Sequence, residues 1–367
     1  MYIHESNTWP EFTWREKDIA DTLTRVRYQQ GRLVGKMEAL GFDLRREATL
    51  NMLTEDVLKS SEIEGEVLDK EQVRSSIARR LGMDIAGLVP TERHVEGIVE
   101  MMLDATQQYE EVLTEDRFFG WHAALFPTGR SGMLKITVAD WRKDEEGPMQ
   151  VVSGPIGKEK VHYEAPAANL LPQEMERFLK WFNGSPKCDP VIRAAMSHLW
   201  FVTIHPFDDG NGRIARAVAD MGLARSDENR QRFYSMSAQI RKERKAYYDI
   251  LEATQKGGTD ITDWLLWFLE CLEHAIQGAE ETLKSVLYKA DFWQAHKSKI
   301  INERQQNIIN RLLGDFKGNL TSSKWAKLTK CSQDTALRDI NDLVKKGVLE
   351  KGLSSGRSTH YVLRSIE

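Results

Sequence analysis

Apolar residues recur at the three-to-four-residue spacing of helices through most of this chain, while alternation at period two is confined to one internal stretch and the tail. That pattern restricts the chain to a mainly α fold. Helices are expected over residues 14–37, 46–63, 91–109, 116–125, 172–182, 191–203 and 211–225, from Lys245, and over 260–295. The second of these ends near Gly65, a residue type that favours a left-handed C-cap. Pro172 suits a first helical position, where no N–H donor is required. "MQVVSGPIGKEKVHYEAP", residues 149–166, reads as two short strands around a turn containing Gly and Pro.

The tail has a different pattern. "RQQNIINRLLGDF" is an amphipathic helix, and "LTSSKWAKLTKCSQDTALRDINDLVKKGVL" gives two helices across a tight turn. "EKGLSSGRSTHYVL" reads as a β-hairpin with a Ser-Gly turn, so the tail has the order of a winged helix-turn-helix. Residues 301–367 carry 12 Lys and Arg against 7 Asp and Glu, a balance of +5, while the rest of the chain nets −9. A basic tail on an acidic body implies a separate partner for the tail. DNA is one expected partner, with Gln333, Asp334, Thr335 and Arg338 opening the recognition helix. Lys324, Lys327 and Lys330 would then face phosphates, and Arg357 would sit on the wing. A protein-interaction or dimerisation role is the alternative, and a homodimer fits the long helices.

Cys188, Cys271 and Cys331 are far apart and form no CxxC pair, which argues against a zinc site or a disulfide framework. Such cysteine use fits a reducing, cytoplasmic setting. The opening "MYIHESNTWPEF" lacks a basic flank followed by an apolar run, so no secretory signal is expected. "WLLWFLECLEHAI" is interrupted by acids and is too short to span a bilayer; no membrane partner is expected.

The densest chemistry lies in "IHPFDDGNGRIAR", residues 204–216. Pro206 cannot continue a helix, so His205 falls in a loop between two helices, where a side chain is usable. "GNG" leads directly into the next helix, whose free N–H groups form an anion cradle. Arg213 and Arg216, three residues apart in the first turns, can face one anion. Cations at a helix N-terminus cost about 0.3–1 kcal/mol each unless an anion compensates them, so their placement implies a phosphate. Asp209 offers a hard oxygen ligand for Mg²⁺ beside that phosphate. Asp208 reads as a solvated loop acid and Phe207 as the anchor of the loop in the core. A base, a metal ligand and a polyphosphate cradle make a nucleotidyl- or phosphoryl-transfer site.

"HPFDDGNGR" with Arg216 resembles the full signature of the Fic family, HPFx[D/E]GN[G/K]RxxR, with no departure. The resemblance implies a helical Fic fold and transfer of AMP from ATP to a Ser, Thr or Tyr hydroxyl of a protein. It implies His205 as the catalytic base and Asp209 as the Mg²⁺ ligand. Nucleotide contacts are implied at Val202, Gly210, Asn211, Gly212, Arg213, Ile214, Ala215 and Arg216. The segment "KERKAYY" resembles the part of the family that borders the adenine, which places Tyr247 either there or in the core. Residues 151–163 would be the family's flap, docking an extended target segment by strand addition. "KSSEIEGEV" resembles the family's inhibitory motif [S/T]xxxE[G/N], matched by Ser60, Glu64 and Gly65. By that resemblance Glu64 pairs with Arg216 and displaces the ATP γ-phosphate.

Three segments are therefore expected: an N-terminal helical region with the inhibitory helix (1–88), a Fic catalytic domain (89–297) and a winged helix (298–367). Besides adenylyl transfer, two readings stay open at this point. One is AMP removal at the same site with Glu64 orienting water; the other is a DNA-binding regulator that senses nucleotide.

Overall fold

The computed structural model describes all residues except 84–86, 145–146, 156, 186, 297, 300–301, 315, 317, 353–358 and 366–367. In chain order the elements begin with α1 (Glu16–Glu38), α2 (Phe42–Ile63), α3 (Lys70–Arg80), α4 (Arg93–Gln107) and α5 (Glu115–Leu125). Two short hairpins follow, β1 (Arg130–Ser131) with β2 (Leu134–Lys135) and β3 (Gln150–Ser153) with β4 (Lys160–Glu164). Then come α6 (Leu171–Asn183), α7 (Pro190–Ile204), α8 (Asn211–Asp227), α9 (Met236–Lys242), α10 (Arg244–Gln255) and α11 (Thr262–His296). The tail holds α12 (Glu303–Leu312), α13 (Ser322–Thr329), α14 (Gln333–Lys345) and the antiparallel pair β5 (Leu349–Lys351) and β6 (Tyr361–Leu363). Among the described residues no helix is long and apolar enough to cross a membrane.

The chain divides into two compact units, one of Met1–Ala39 with Arg46–Glu280 and one of Leu40–Arg45 with Glu281–Glu367. This division differs from the three expected segments. Residues 46–88 share a compact unit with the catalytic helices, because the burial that stabilises α2 is supplied by them.

In the first unit α7 is the central helix. Apart from Arg193 every residue from Val191 to Ile204 is buried, Ser197, His198 and Thr203 included, as a helix enclosed on all sides requires. The Phe118 ring stacks on Phe201 of α7 at 4.9 Å. Helix α8 packs along α7, and its buried run from Arg213 to Ala224 includes both arginines of the motif. The anchor of α2 is Asp56, which accepts hydrogen bonds from the Ser235 hydroxyl and from Ser237 N–H at 3.3 Å. Beyond its last turn Arg244 donates to the Ile63 carbonyl at 2.8 Å.

In the second unit Trp325, Ile308, Ile340, Leu343 and Leu349 form a separate core, and Tyr361 N–H donates to the Leu320 carbonyl at 2.9 Å. Gln333, Asp334, Thr335 and Arg338 open α14, which Ser332 caps by accepting from Thr335 N–H at 3.2 Å. Lys324 stands 4.3 Å over the Phe316 ring, Lys327 lies in the last turn of α13, and Lys330 ends that helix in the left-handed region. Arg357 and the Ser-Gly turn lie outside the described residues.

Helices α3 and α9 and the hairpin of β1 and β2 were not expected. The buried face of α3 includes Ser75, Ser76 and Ala78 besides Val73 and Ile77, so small polar residues do the packing and the apolar period is faint. Its start was legible in Asp69, whose carboxylate accepts from Gln72 N–H at 2.8 Å. Strands β1 and β2 have two residues each, too few for any period to show.

Candidate active site

His205 follows the last residue of α7 in the left-handed conformation, φ 51° and ψ 59°, which swings the chain out of the helix before Pro206. Its Nδ1 lies 3.2 Å from the Val202 carbonyl. A carbonyl only accepts, so Nδ1 carries the proton and Nε2 keeps a free lone pair. Burial, together with the nearby Arg142 guanidinium, lowers the His205 pKa to about 4. The imidazole is therefore neutral at physiological pH and fit to accept a proton. An NMR titration of the histidine side chains should place the His205 midpoint near 4. A midpoint near the ordinary 6.5 would mean the ring is not desolvated.

The loop is held by groups that the sequence reading missed. Arg142 donates from Nε to the His205 carbonyl at 2.8 Å and from N–H to the Pro206 carbonyl at 2.9 Å, and it also reaches the Pro166 carbonyl. Phe207 is fully buried and stacks on His122 at 4.1 Å. Nδ1 of His122 accepts from Ala139 N–H at 3.3 Å, which leaves Nε2–H to donate to the Asp209 carbonyl at 3.2 Å. Asp208 was expected to be solvated; instead it accepts from Thr137 N–H at 2.7 Å and ties the loop to the preceding segment.

Gly210, at φ 82°, turns the chain into α8, and no side-chain hydrogen bond caps that helix. Its first amides are therefore free to meet an anion. Asn211 also closes the loop. Both ends of its amide are bonded to the Phe207 backbone, at 3.0 and 2.7 Å, which leaves its second Nδ2–H and its backbone N–H for phosphate. Ile214 N–H is already bonded to the Gly210 carbonyl at 3.0 Å, and the Ile214 and Ala215 side chains are fully buried in the core of this unit. The Val202 carbonyl accepts from His205 Nδ1–H. Tyr247 is a core residue with its hydroxyl 2.9 Å from His198 Nε2. It offers no surface to an adenine; its neighbour Tyr248 is exposed.

A cavity of about 380 Å³ opens beside the start of α8, lined by Asp209, Arg213, Glu64, Glu66, His94 and Arg130 among others. His205 does not line it. Asp209 accepts from the Ser131 hydroxyl on one oxygen and from Gly210 N–H at 2.6 Å on the other. Each carboxylate oxygen has a second lone pair, so Asp209 can still ligate a cation.

The end of α2 meets this site. Arg216 is buried and donates from Nε to the Ser60 hydroxyl at 3.0 Å and from Nη2 to the Ser60 carbonyl at 2.9 Å. Its Nη1 lies 2.8 Å from Glu64 Oε1, close enough for strong attraction but off-axis for a hydrogen bond. The pair is therefore monodentate. Gly65 follows at φ 85° and releases the chain from the helix. A β-carbon on Gly212 would collide with Glu64 Oε1, so the carboxylate lies directly over the helix start, where phosphate would lie. Glu66, which no sequence signal singled out, takes Arg213 Nη1 at 3.0 Å and also bonds His94.

The Fic/DOC family model matches residues 112–223, the span from before α5 into α8 that holds the loop and both arginines. This chain carries a Fic/DOC family domain. A second model, a domain of unknown function (DUF4172), matches residues 2–83 and so contains Ser60, Glu64 and Glu66. The protein adenylyltransferase Fic of Culex quinquefasciatus is 34% identical over 104 residues, 28% of this chain and 19% of that protein. The protein of the same name from Drosophila melanogaster is 33% identical over 104 residues, 28% of this chain and 20% of its own length. The match thus spans about a fifth of these curated relatives. The crystal structure of a Fic family protein from Desulfovibrio desulfuricans G20 shares the fold, with a TM-score of 0.61 at 20% identity over 98% of this chain and 99% of that one.

Proposed function

We propose that this Fic domain is a protein adenylyltransferase held inactive by α2. The observation that carries this reading is a neutral imidazole with a free Nε2 at the mouth of a helix whose start is unoccupied by any side-chain cap and flanked by two buried arginines. In the reaction a target hydroxyl gives its proton to His205 Nε2, and its oxygen bonds the α-phosphorus of ATP. The bond from that phosphorus to the bridging oxygen breaks, and pyrophosphate leaves. The amides of Asn211 and Gly212 and the two guanidinium groups hold the phosphates while charge redistributes. Asp209 would supply the protein ligand for Mg²⁺, which would neutralise phosphate charge; one carboxylate with phosphate oxygens and waters is an ordinary environment for that ion.

Residues 150–164 would dock the target. The Tyr163 hydroxyl donates to the Thr203 carbonyl at 2.7 Å, which fixes β4 next to the His205 turn. Val152 and Val161 stay exposed on that hairpin.

The distinguishing experiment uses ATP labelled at either end with the Glu64→Gly variant. Adenylyl transfer labels protein from α-³²P-ATP and not from γ-³²P-ATP; the reverse outcome makes the domain a phosphotransferase. AMP removal is favoured by one observation, that Glu64 lines the same cavity as Asp209 and could orient a water. Release of label from modified target by the wild type, abolished by Glu64→Gly, would select that reading.

Asp209→Ala should weaken Mg²⁺-dependent ATP binding by about tenfold or more. Calorimetry with and without Mg²⁺ tests this; unchanged metal dependence removes Asp209 from the site.

A further inference from the structure

Two carboxylates, not one, reach the arginines of α8. Glu66 stands beyond the end of α2, where its N–H donates to the Ser61 carbonyl at 3.0 Å and folds the segment back over the helix end. From there Oε2 meets Arg213 Nη1 at 3.0 Å and Oε1 bonds His94 Nε2 on α4. Arg213 is 6% exposed, its guanidinium lies over the Phe126 ring at 5.1 Å, and its buried Nε has no hydrogen-bond partner among the described residues. A guanidinium so enclosed and held by one oxygen is an anion site filled by a single-point occupant. The two acids differ in how they are held. Glu66 divides its oxygens between two groups, whereas Glu64 has no second cationic partner among the described residues.

We propose that Glu66 is a second inhibitory carboxylate, occupying Arg213 as Glu64 occupies Arg216, and that His94 holds Glu66 when phosphate takes Arg213. This rests on the nucleotide-site reading given above. Phosphate cannot take Arg213 Nη1 without displacing Glu66, and a displaced carboxylate left unpaired in a half-buried site would oppose binding. His94 removes that opposition by keeping one bond throughout. Removing Glu64 alone therefore frees Arg216 and leaves Arg213 still shielded.

The test measures ATP affinity by calorimetry in the full chain, with Mg²⁺ present, starting from Glu64→Gly so that the first contact is gone. Adding Glu66→Ala should tighten ATP binding by about tenfold. Adding His94→Ala should weaken it, because Glu66 then has only Arg213. Opposite signs from two members of one hydrogen bond are not what loss of a structural anchor gives. Should Glu66→Ala unfold, Glu66→Gln keeps the shape, removes the charge and makes the same prediction. Equal or weaker affinity for the folded Glu66 variant overturns the proposal. If Glu64→Gly itself binds no ATP, the nucleotide-site reading fails first and this inference falls with it.

Discussion

Replacing His205 with Ala in the Glu64→Gly background should lower AMP transfer by about 10²–10⁴-fold, the usual contribution of a positioned general base. ATP affinity should hardly change. The imidazole touches the Val202 carbonyl and lines neither the cavity nor the arginine pair, so its removal takes away a proton acceptor and no phosphate contact. The backbone at 205 is left-handed, which L residues tolerate poorly and Asn better. His205→Asn is therefore the companion variant: it suits the turn, cannot take the proton, and should be as inactive as the Ala variant. Single-turnover labelling with α-³²P-ATP, alongside calorimetry, separates the two quantities. Transfer near the parent rate in either variant would show that another group is the base.

What the sequence disclosed and what it hid follow a physical line. Long apolar periods placed α1, α4, α7 and α11 within a few residues, because burial on one face repeats at every turn. The loop between α7 and α8 was legible because Pro206 and two glycines admit few conformations. The Glu64–Arg216 contact was legible only through resemblance, since the two residues are far apart in sequence and nothing local links them. Glu66 escaped for the same reason, with no motif to compensate. The second task of Asn211 was hidden because a residue inside a phosphate-type loop can close the loop as well as bind the ligand; its two bonds to Phe207 show that its side chain does the former. Tyr247 stayed open between the adenine border and the core because an aromatic beside a site has the same letter whether it faces in or out; its burial places it in the core.

Glu64→Gly should raise labelling from ATP at least about tenfold. In the wild type the carboxylate lies over Gly212 and draws on Arg216 Nη1, so a γ-phosphate would meet a negative charge where it needs a positive one. Removing it leaves Arg216 oriented by Ser60 through Nε and Nη2, with Nη1 open to phosphate. Some stability should be lost with it, because the buried Arg216 guanidinium keeps its bonds to Ser60 but loses its counter-charge. Arg216→Ala should do the opposite and lower transfer. The two changes act on one contact and cannot be additive. The decisive measurement is α-³²P-ATP labelling by wild type, Glu64→Gly, Arg216→Ala and the double variant, at equal fold stability. The account predicts strong labelling by Glu64→Gly alone and none by the double variant; Glu64→Gly no more active than wild type, or still activating without Arg216, would contradict it.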